Sequence, residues 1–202
     1  MQQSPVAAHA DDAALVSQIV LLERQGRDRG WWDQMTDAFW PDSVVQLSAY
    51  HGDGPGFVAH SRRLFGRGSR PVHQMFAPAV RVRGDRAHVE VGTMAWSTMD
   101  VDGVRANFHT FMRLNYRCER RAGEWRILRL DVVYQSSSIS PAAPGTPLVI
   151  PAGELAPYRP SYDVLAWHLA HLGVPVSDDE LGDDRPEELD TFYDETNRWL
   201  NG

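Results

Sequence analysis

The sequence predicts an α+β domain in which N-terminal helices cover a long, curved antiparallel sheet. Three observations carry this. Three stretches of helical periodicity precede residue 66, strand-like alternation dominates residues 72–137, and glycine-bearing turns divide the alternating part into four. Helices followed by a meander of long strands is an α+β layout, and a sheet of such length has to twist and be covered on its concave side.

The elements follow in order. Asp11 and Asp12 are candidate N-caps, and Leu15, Ile19 and Leu22 follow at helical spacing, so a first helix ends between Gly26 and Gly30. Trp32, Met35 and Phe39 predict a second helix over 31–40, stopped by Pro41-Asp42. Residues 43–47 read as a short strand, and Gly52-Asp53-Gly54-Pro55-Gly56 as a turn cluster. A third helix is expected over 57–65, and the pattern changes to strand after Arg70-Pro71. Strands are expected over 72–83, 87–99, 104–120 and 125–137, with hairpin turns at Gly84-Asp85, 100–103 and 122–124. The Pro-, Ala- and Gly-rich residues 141–159 form an extended connection. Two amphipathic helices follow, one carrying Tyr162, Leu165, Leu169 and Leu172, the other Leu189, Phe192, Tyr193 and Leu200. Residues 1–140 therefore read as the domain, and 141–202 as a linker and helical extension packing on that domain or on a partner subunit.

Composition narrows the function. The chain has 202 residues, enough for one domain with a real core. Its net charge of −7 argues against general nucleic-acid binding. No apolar run is long enough to span a bilayer, and the first ten residues lack the pattern of a secretory leader. The single cysteine, Cys118, reads as a small buried hydrophobe. A cytoplasmic protein without membrane or nucleic-acid partners is expected. No phosphate-binding glycine loop, cysteine cluster or nucleophile elbow is present, so neither a cofactor nor a metal is expected; His168 and His171 are three apart but lack a third ligand nearby.

Two segments bear a family resemblance. Asp28-Arg29-Gly30-Trp31-Trp32-Asp33, followed by Phe39-Trp40-Pro41-Asp42, resembles the SnoaL-like pattern of an Asp before a small residue, an aromatic, and then F-x-P-D. Gly123-Glu124-Trp125-Arg126-Ile127 resembles the hairpin before that family's last strand, and His73 stands where many members carry a histidine. The resemblance spans about residues 11–138 and implies the NTF2-like, cystatin-type cone of sheet around an apolar pocket. The family includes polyketide cyclases, steroid isomerases, scytalone dehydratase, a dehydrochlorinase, lyases on lignin-derived aromatics and noncatalytic members, so the fold alone does not settle the activity.

What the resemblance implies for the site is a dyad. Asp28 and His73 fall on the positions where the dehydratase and dehydrochlorinase branches place an aspartate that orients a histidine base. Asp33 is the alternative carboxylate, and a structural role for both Asp28 and His73 stays open. Tyr50 and His51 beside the glycine turn are candidates to bind a substrate oxygen or to cap a loop. His109 and Arg113, four apart on one strand, share a face with Asn107 and Asn115; that face lines the pocket or meets solvent or a partner. Tyr134, Trp31 and Trp96 are candidate substrate-binding walls.

The leading functional expectation is a cofactor-independent lyase acting on a small apolar, aromatic or polycyclic substrate. Loss of water, or of formaldehyde from an aromatic diol, suits one base with several hydrogen-bond donors. An isomerase or polyketide cyclase needs the same base. A noncatalytic binding or structural subunit, such as a dioxygenase β subunit, is the alternative of a different class. The tail helices suit a homo-oligomer, dimer or trimer.

Overall fold

A computed structural model describes residues 9–66, 70, 72–174 and 176–202. Most of the N-terminal segment read above, and Pro71 of the expected turn, lie outside the described residues. The order is α1 (Ala10–Arg29), α2 (Trp32–Asp37), β1 (Phe39–Leu47), β2 (Tyr50–Gly52), α3 (Gly54–Gly66), β3 (Val72–Met75), β4 (Ala79–Arg83), β5 (Arg86–Val101), β6 (Val104–Arg121), β7 (Glu124–Pro141), α4 (Ala152–Leu155), α5 (Asp163–His171) and α6 (Pro186–Asn201). The strands form one curved, unclosed sheet in the order β2-β1-β7-β6-β5-β3, with β4 beside β3 on the edge of β5.

Helix α1 ends because Gly30 adopts a left-handed conformation (φ 72°) and donates its N–H back to the Gly26 carbonyl. The chain then turns tightly into α2. A Cβ on Gly26 would lie 3.0 Å from the Met35 amide nitrogen, so this close approach needs glycine. At the other end, the indole N–H of Trp125 and the guanidinium of Arg120 both reach Asp12, tying α1 to the sheet. Asp11 and Asp12 occupy the first turn of α1, where negative charge complements the helix dipole, but neither caps it; His9 holds the cap position.

Four expectations are corrected. The helix expected over 31–40 stops at Asp37, and Phe39-Trp40-Pro41-Asp42 is already strand. β1 runs parallel to β7, with a bulge between Phe39 and Val44, so the sheet is not wholly antiparallel. Pro41 sits within that bulge, where no ladder donor is required. The turn cluster at Gly54 is helical: Asp53 Oδ1 accepts the Gly56 N–H at 2.6 Å and starts α3. Gly54 fits there because a Cβ would meet Ser43 Oγ at 2.5 Å. Finally, the strand expected over 72–83 is two strands. Both pair with β5, and Pro78 lies in the break, having no N–H for the ladder.

β5, β6 and β7 pair antiparallel along most of their length. Their turns carry consecutive positive φ values, Asp102-Gly103 (50°, 79°) and Ala122-Gly123 (50°, 87°), the twist that two-residue hairpins require. Alternation then divides the sheet into two faces. On β6 the even-numbered residues from Ala106 to Cys118 are all buried, beneath α1 and α3 or around a cavity. The opposite face carries α6. Its Phe192 and Thr196 are buried, Arg117 donates to Thr196, and Arg86 donates to the Trp199 carbonyl. No described helix is long and apolar enough to cross a membrane.

Candidate active site

A cavity of about 180 Å³ lies between α1, α3, the inner face of the sheet and α5. Phe57, Leu64, Phe108, Met112, Leu114, Leu165 and Leu169 make it mainly apolar, and His73, Arg27, Arg24, Tyr50 and Tyr134 enter its wall.

Asp28 and His73 meet there. Asp28 is the penultimate residue of α1, and His73 is the second residue of β3. The carboxylate takes two hydrogen bonds from the same residue: Oδ2 accepts the His73 backbone N–H at 2.7 Å, and Oδ1 accepts Nδ1–H at 2.6 Å. Both side chains are nearly buried, His73 at 7% exposure. On the far side of the ring, Nε2 lies 3.1 Å from a guanidinium nitrogen of Arg27. A guanidinium can only donate, so Nε2 is the acceptor and the proton sits on Nδ1. The two neighbours therefore select one neutral tautomer between them. Asp33, the alternative partner, is exposed on α2.

The electrostatics agree. Burial, with the cations of Arg24 and Arg27 nearby, pulls the His73 pKa down to about 4 despite its bond to Asp28. Burial opposes the Asp28 charge, but the His73 hydrogen bonds outweigh it and hold that carboxyl below its usual range. Arg27 comes down to about 10, through burial and the neighbouring Arg24. It therefore stays cationic near neutral pH. Its contacts are to neutral groups: His73, Ser61 Oγ at 3.3 Å and the face of Phe57. Arg24 is different. It pairs with buried Glu23 at 3.3 Å, and the Tyr116 hydroxyl bridges the two. Burial pushes the Glu23 carboxyl upward.

The other expected site residues divide. Tyr50 and Tyr134 line the cavity. The Tyr134 hydroxyl donates to Ser48 Oγ at 2.6 Å, and Tyr50 donates to the Asp53 carbonyl. His109 and Arg113 do not line it. Phe108, Thr110, Met112 and Leu114 face the cavity, so the odd-numbered residues between them point the other way. There Arg113 pairs with Glu90 at 2.8 Å, and Glu90 also accepts from Tyr193 of α6. Trp96 falls on that outer face as well, opposite His109, while its neighbours Ala95 and Ser97 line the cavity. His51 projects from the mouth of β2 toward Glu180 and a separate charged groove. Trp31 is 52% exposed at the α1–α2 turn, since Trp32 takes the inward position against Phe65.

Several cavity residues were not expected from the sequence. Arg27, His60, Thr110 and His168 all line the space. Each left a trace. Arg27 follows Glu23 by four positions and therefore shares its helical face; Thr110 interrupts an apolar alternation; His168 sits beside Leu165 and Leu169 on the apolar side of its helix.

Comparison with known proteins supports the fold. The chain resembles a hexachlorocyclohexane dehydrochlorinase from Novosphingobium barchaimii, with a TM-score of 0.57 and 16% identity over 73% of this chain and 100% of that one. It also resembles a protein of unknown function from Mycobacterium tuberculosis, with a TM-score of 0.53 and 14% identity over 64% and 75%. A third similar structure is an NTF2-like protein with a cystatin-like fold from Novosphingobium aromaticivorans, with a TM-score of 0.50 and 16% identity over 62% and 83%. No curated protein matches the sequence. The SnoaL-like domain profile matches residues 8–131, which include both Asp28 and His73. The chain therefore belongs to the SnoaL-like domain family.

Proposed function

We propose that this protein is a cofactor-independent lyase in which His73 removes a proton from carbon and a neighbouring hydroxyl leaves as water. The observation that carries this reading is the double hydrogen bond from His73 to Asp28, with the His73 side chain at the wall of a largely apolar cavity. Asp28 holds Nδ1–H, so Nε2 is the basic nitrogen. As Nε2 accepts the substrate proton, Asp28 stabilises the imidazolium that forms. Arg27 covers Nε2 and hydrogen-bonds neutral partners only. A substrate carbonyl would draw Arg27 away, uncover the base, and gain a cation beside the oxygen that becomes an enolate. Removal of Arg27 from Nε2 also raises the basicity of His73.

A β-hydroxy ketone fits these roles. The C–H bond alpha to the carbonyl breaks, its electron pair forms the C=C bond, the C–O bond breaks, and the departing hydroxide takes the proton from His73 Nε2 to become water, which returns His73 to its neutral form. The cavity matches a single substituted ring, since a dry space of about 150 Å³ accommodates benzene. The hexachlorocyclohexane dehydrochlorinase of similar fold bears a name for an elimination, which agrees with this reaction class.

The test is turnover of small-ring β-hydroxy ketones, beginning with 3-hydroxycyclohexanone and following the enone by absorbance. His73→Ala is expected to lower kcat/KM by about 10²–10⁴, and Asp28→Asn by a similar order. Rates within a few-fold of wild type for both variants would remove the pair from the mechanism. Retention of the hydroxyl, with solvent deuterium exchanged into the alpha carbon, would instead identify an isomerase or cyclase using the same base.

A further inference from the structure

The cavity holds polar groups that the elimination does not use. Four cavity-lining residues each hold a buried side-chain atom with no hydrogen-bond partner among the described residues: Arg24 Nε, Thr110 Oγ1, His168 Nδ1 and His60 Nε2. A buried polar atom without a partner is costly, and native proteins keep few of them. Thr110 is only 1% exposed.

Sheet register places two of these atoms relative to the base. His73 pairs with Ala95, and Ala95 pairs with Thr110, so the three lie in one row across β3, β5 and β6. Residues paired in this way point to the same face. Two inter-strand spacings separate the His73 and Thr110 backbones by roughly 9.5 Å. The residue between them is alanine, whose short side chain leaves a floor on which a flat ring can lie. Beside Thr110, two residues along the same face, Phe108 stacks on His168 at 5.2 Å. Helix α5 is held in place there: Ser137 Oγ, opposite Thr110 on β7, accepts the Leu165 N–H and bonds Asp163.

We propose that Thr110 and His168 form a second polar subsite, which binds an oxygen substituent on the far side of the substrate ring from His73. This deepens the lyase reading and rests on it for the direction of the ligand. The substrate class is then a ring β-hydroxy ketone with a further oxygen function at the end opposite its carbonyl. The carbonyl oxygen meets Arg27 beside the base, and the opposite one, a hydroxyl, meets Thr110 Oγ1 and His168 Nδ1. A hydroxyl suits this pair because it donates and accepts at once. His168 stays neutral there, since burial holds its pKa below the ordinary value. The subsite also assigns a role to the C-terminal extension. Helix α5 supplies a ligand-contacting side chain as well as cavity wall.

Direct binding tests this without turnover. Titrations of the full chain with 4-hydroxyacetophenone and with acetophenone, read by calorimetry, compare ligands that differ only in the distal hydroxyl. Wild type is expected to bind the hydroxylated ligand about tenfold or more tightly. Thr110→Val combined with His168→Phe brings that ratio to about one. Thr110→Ser keeps it, which separates a lost hydroxyl from lost packing. His73→Ala also keeps it, so the subsite stands or falls independently of the catalytic dyad. Three results would overturn the proposal: no saturable binding of either ligand, a wild-type ratio below about three, or a ratio unchanged in the double variant.

Discussion

The two faces of β6 carry similar residues and do opposite things. On the outer face, His88, Glu90, Arg113, Asn115 and Tyr193 of α6 meet one another: His88 contacts Asn115 at 2.9 Å, Arg113 donates to Glu90, and Tyr193 donates to the same carboxylate at 2.6 Å. On the inner face, among the described residues, the Thr110 hydroxyl has no partner, and the nearby His60 and His168 each keep one nitrogen unpaired. Both faces contain histidine, arginine and hydrogen-bonding side chains. What separates them is mainly satisfaction, although Arg117 Nε of the outer face also lacks a partner among the described residues. The outer network spends its donors and acceptors on docking α6, whereas the inner face holds some in reserve for a ligand.

Deep in the inner face the charges depend on each other most, and the largest effect on stability is expected there. Arg24→Met leaves buried Glu23 without its cation, and unfolding experiments in urea should show a loss of about 3–5 kcal/mol. A loss below about 1 kcal/mol would mean that Glu23 is protonated in the native protein, in keeping with the upward push of burial on its pKa.

The next effect is a dependence on pH. His73 titrates at about 4 in the folded protein against an ordinary 6.5, so on acidification the unfolded chain takes up the proton first. Stability is therefore full above about pH 6.5 and falls as the pH drops toward 4, by about 2–3 kcal/mol from this group. His73→Gln should flatten that part of the curve of Tm against pH. The same values set the rate profile. Because kcat/KM reports free-enzyme ionisations, it is expected to hold level through neutrality, with an acid limb near 4 from His73 and a basic limb near 10 from Arg27. An acid limb at 6.5 would show that His73 is far less shielded than its surroundings imply.

The smallest effect belongs to the outer face. Arg113 is 44% exposed, and exposed ion pairs contribute little. Arg113→Ala should cost under about 1 kcal/mol and leave turnover within twofold of wild type. A large loss of turnover would overturn the separation of the faces.

Much of this was legible from residue type and spacing. The strand-turn-strand rhythm is written in alternation and glycine, and it places β5 to β7 within a few residues of where they lie. Asp28 and His73 stood out through the family resemblance. The boundary errors have physical causes. Phe39 continues a helical spacing, yet strand pairing with β7 takes that segment, and Gly54 looks like a turn former until its approach to Ser43 demands a residue without a side chain. Such contacts join residues distant in sequence, so local propensity has no view of them.

By itself, the sequence determined the α+β class, the order of most elements, and which residues of each strand share a face, because those follow from local periodicity. It left open which face of β6 looks inward. Only the tertiary structure decided that, by laying α1 and α3 over one side and α6 over the other, and this exchanged His109 and Arg113 for Thr110 as cavity residues. It likewise brought Arg27 onto Nε2 of a histidine 46 residues away and His168 of the C-terminal extension over Phe108. The reason is the same in each case. Periodicity sorts side chains into two faces, but only the packing of distant elements gives those faces an inside and an outside.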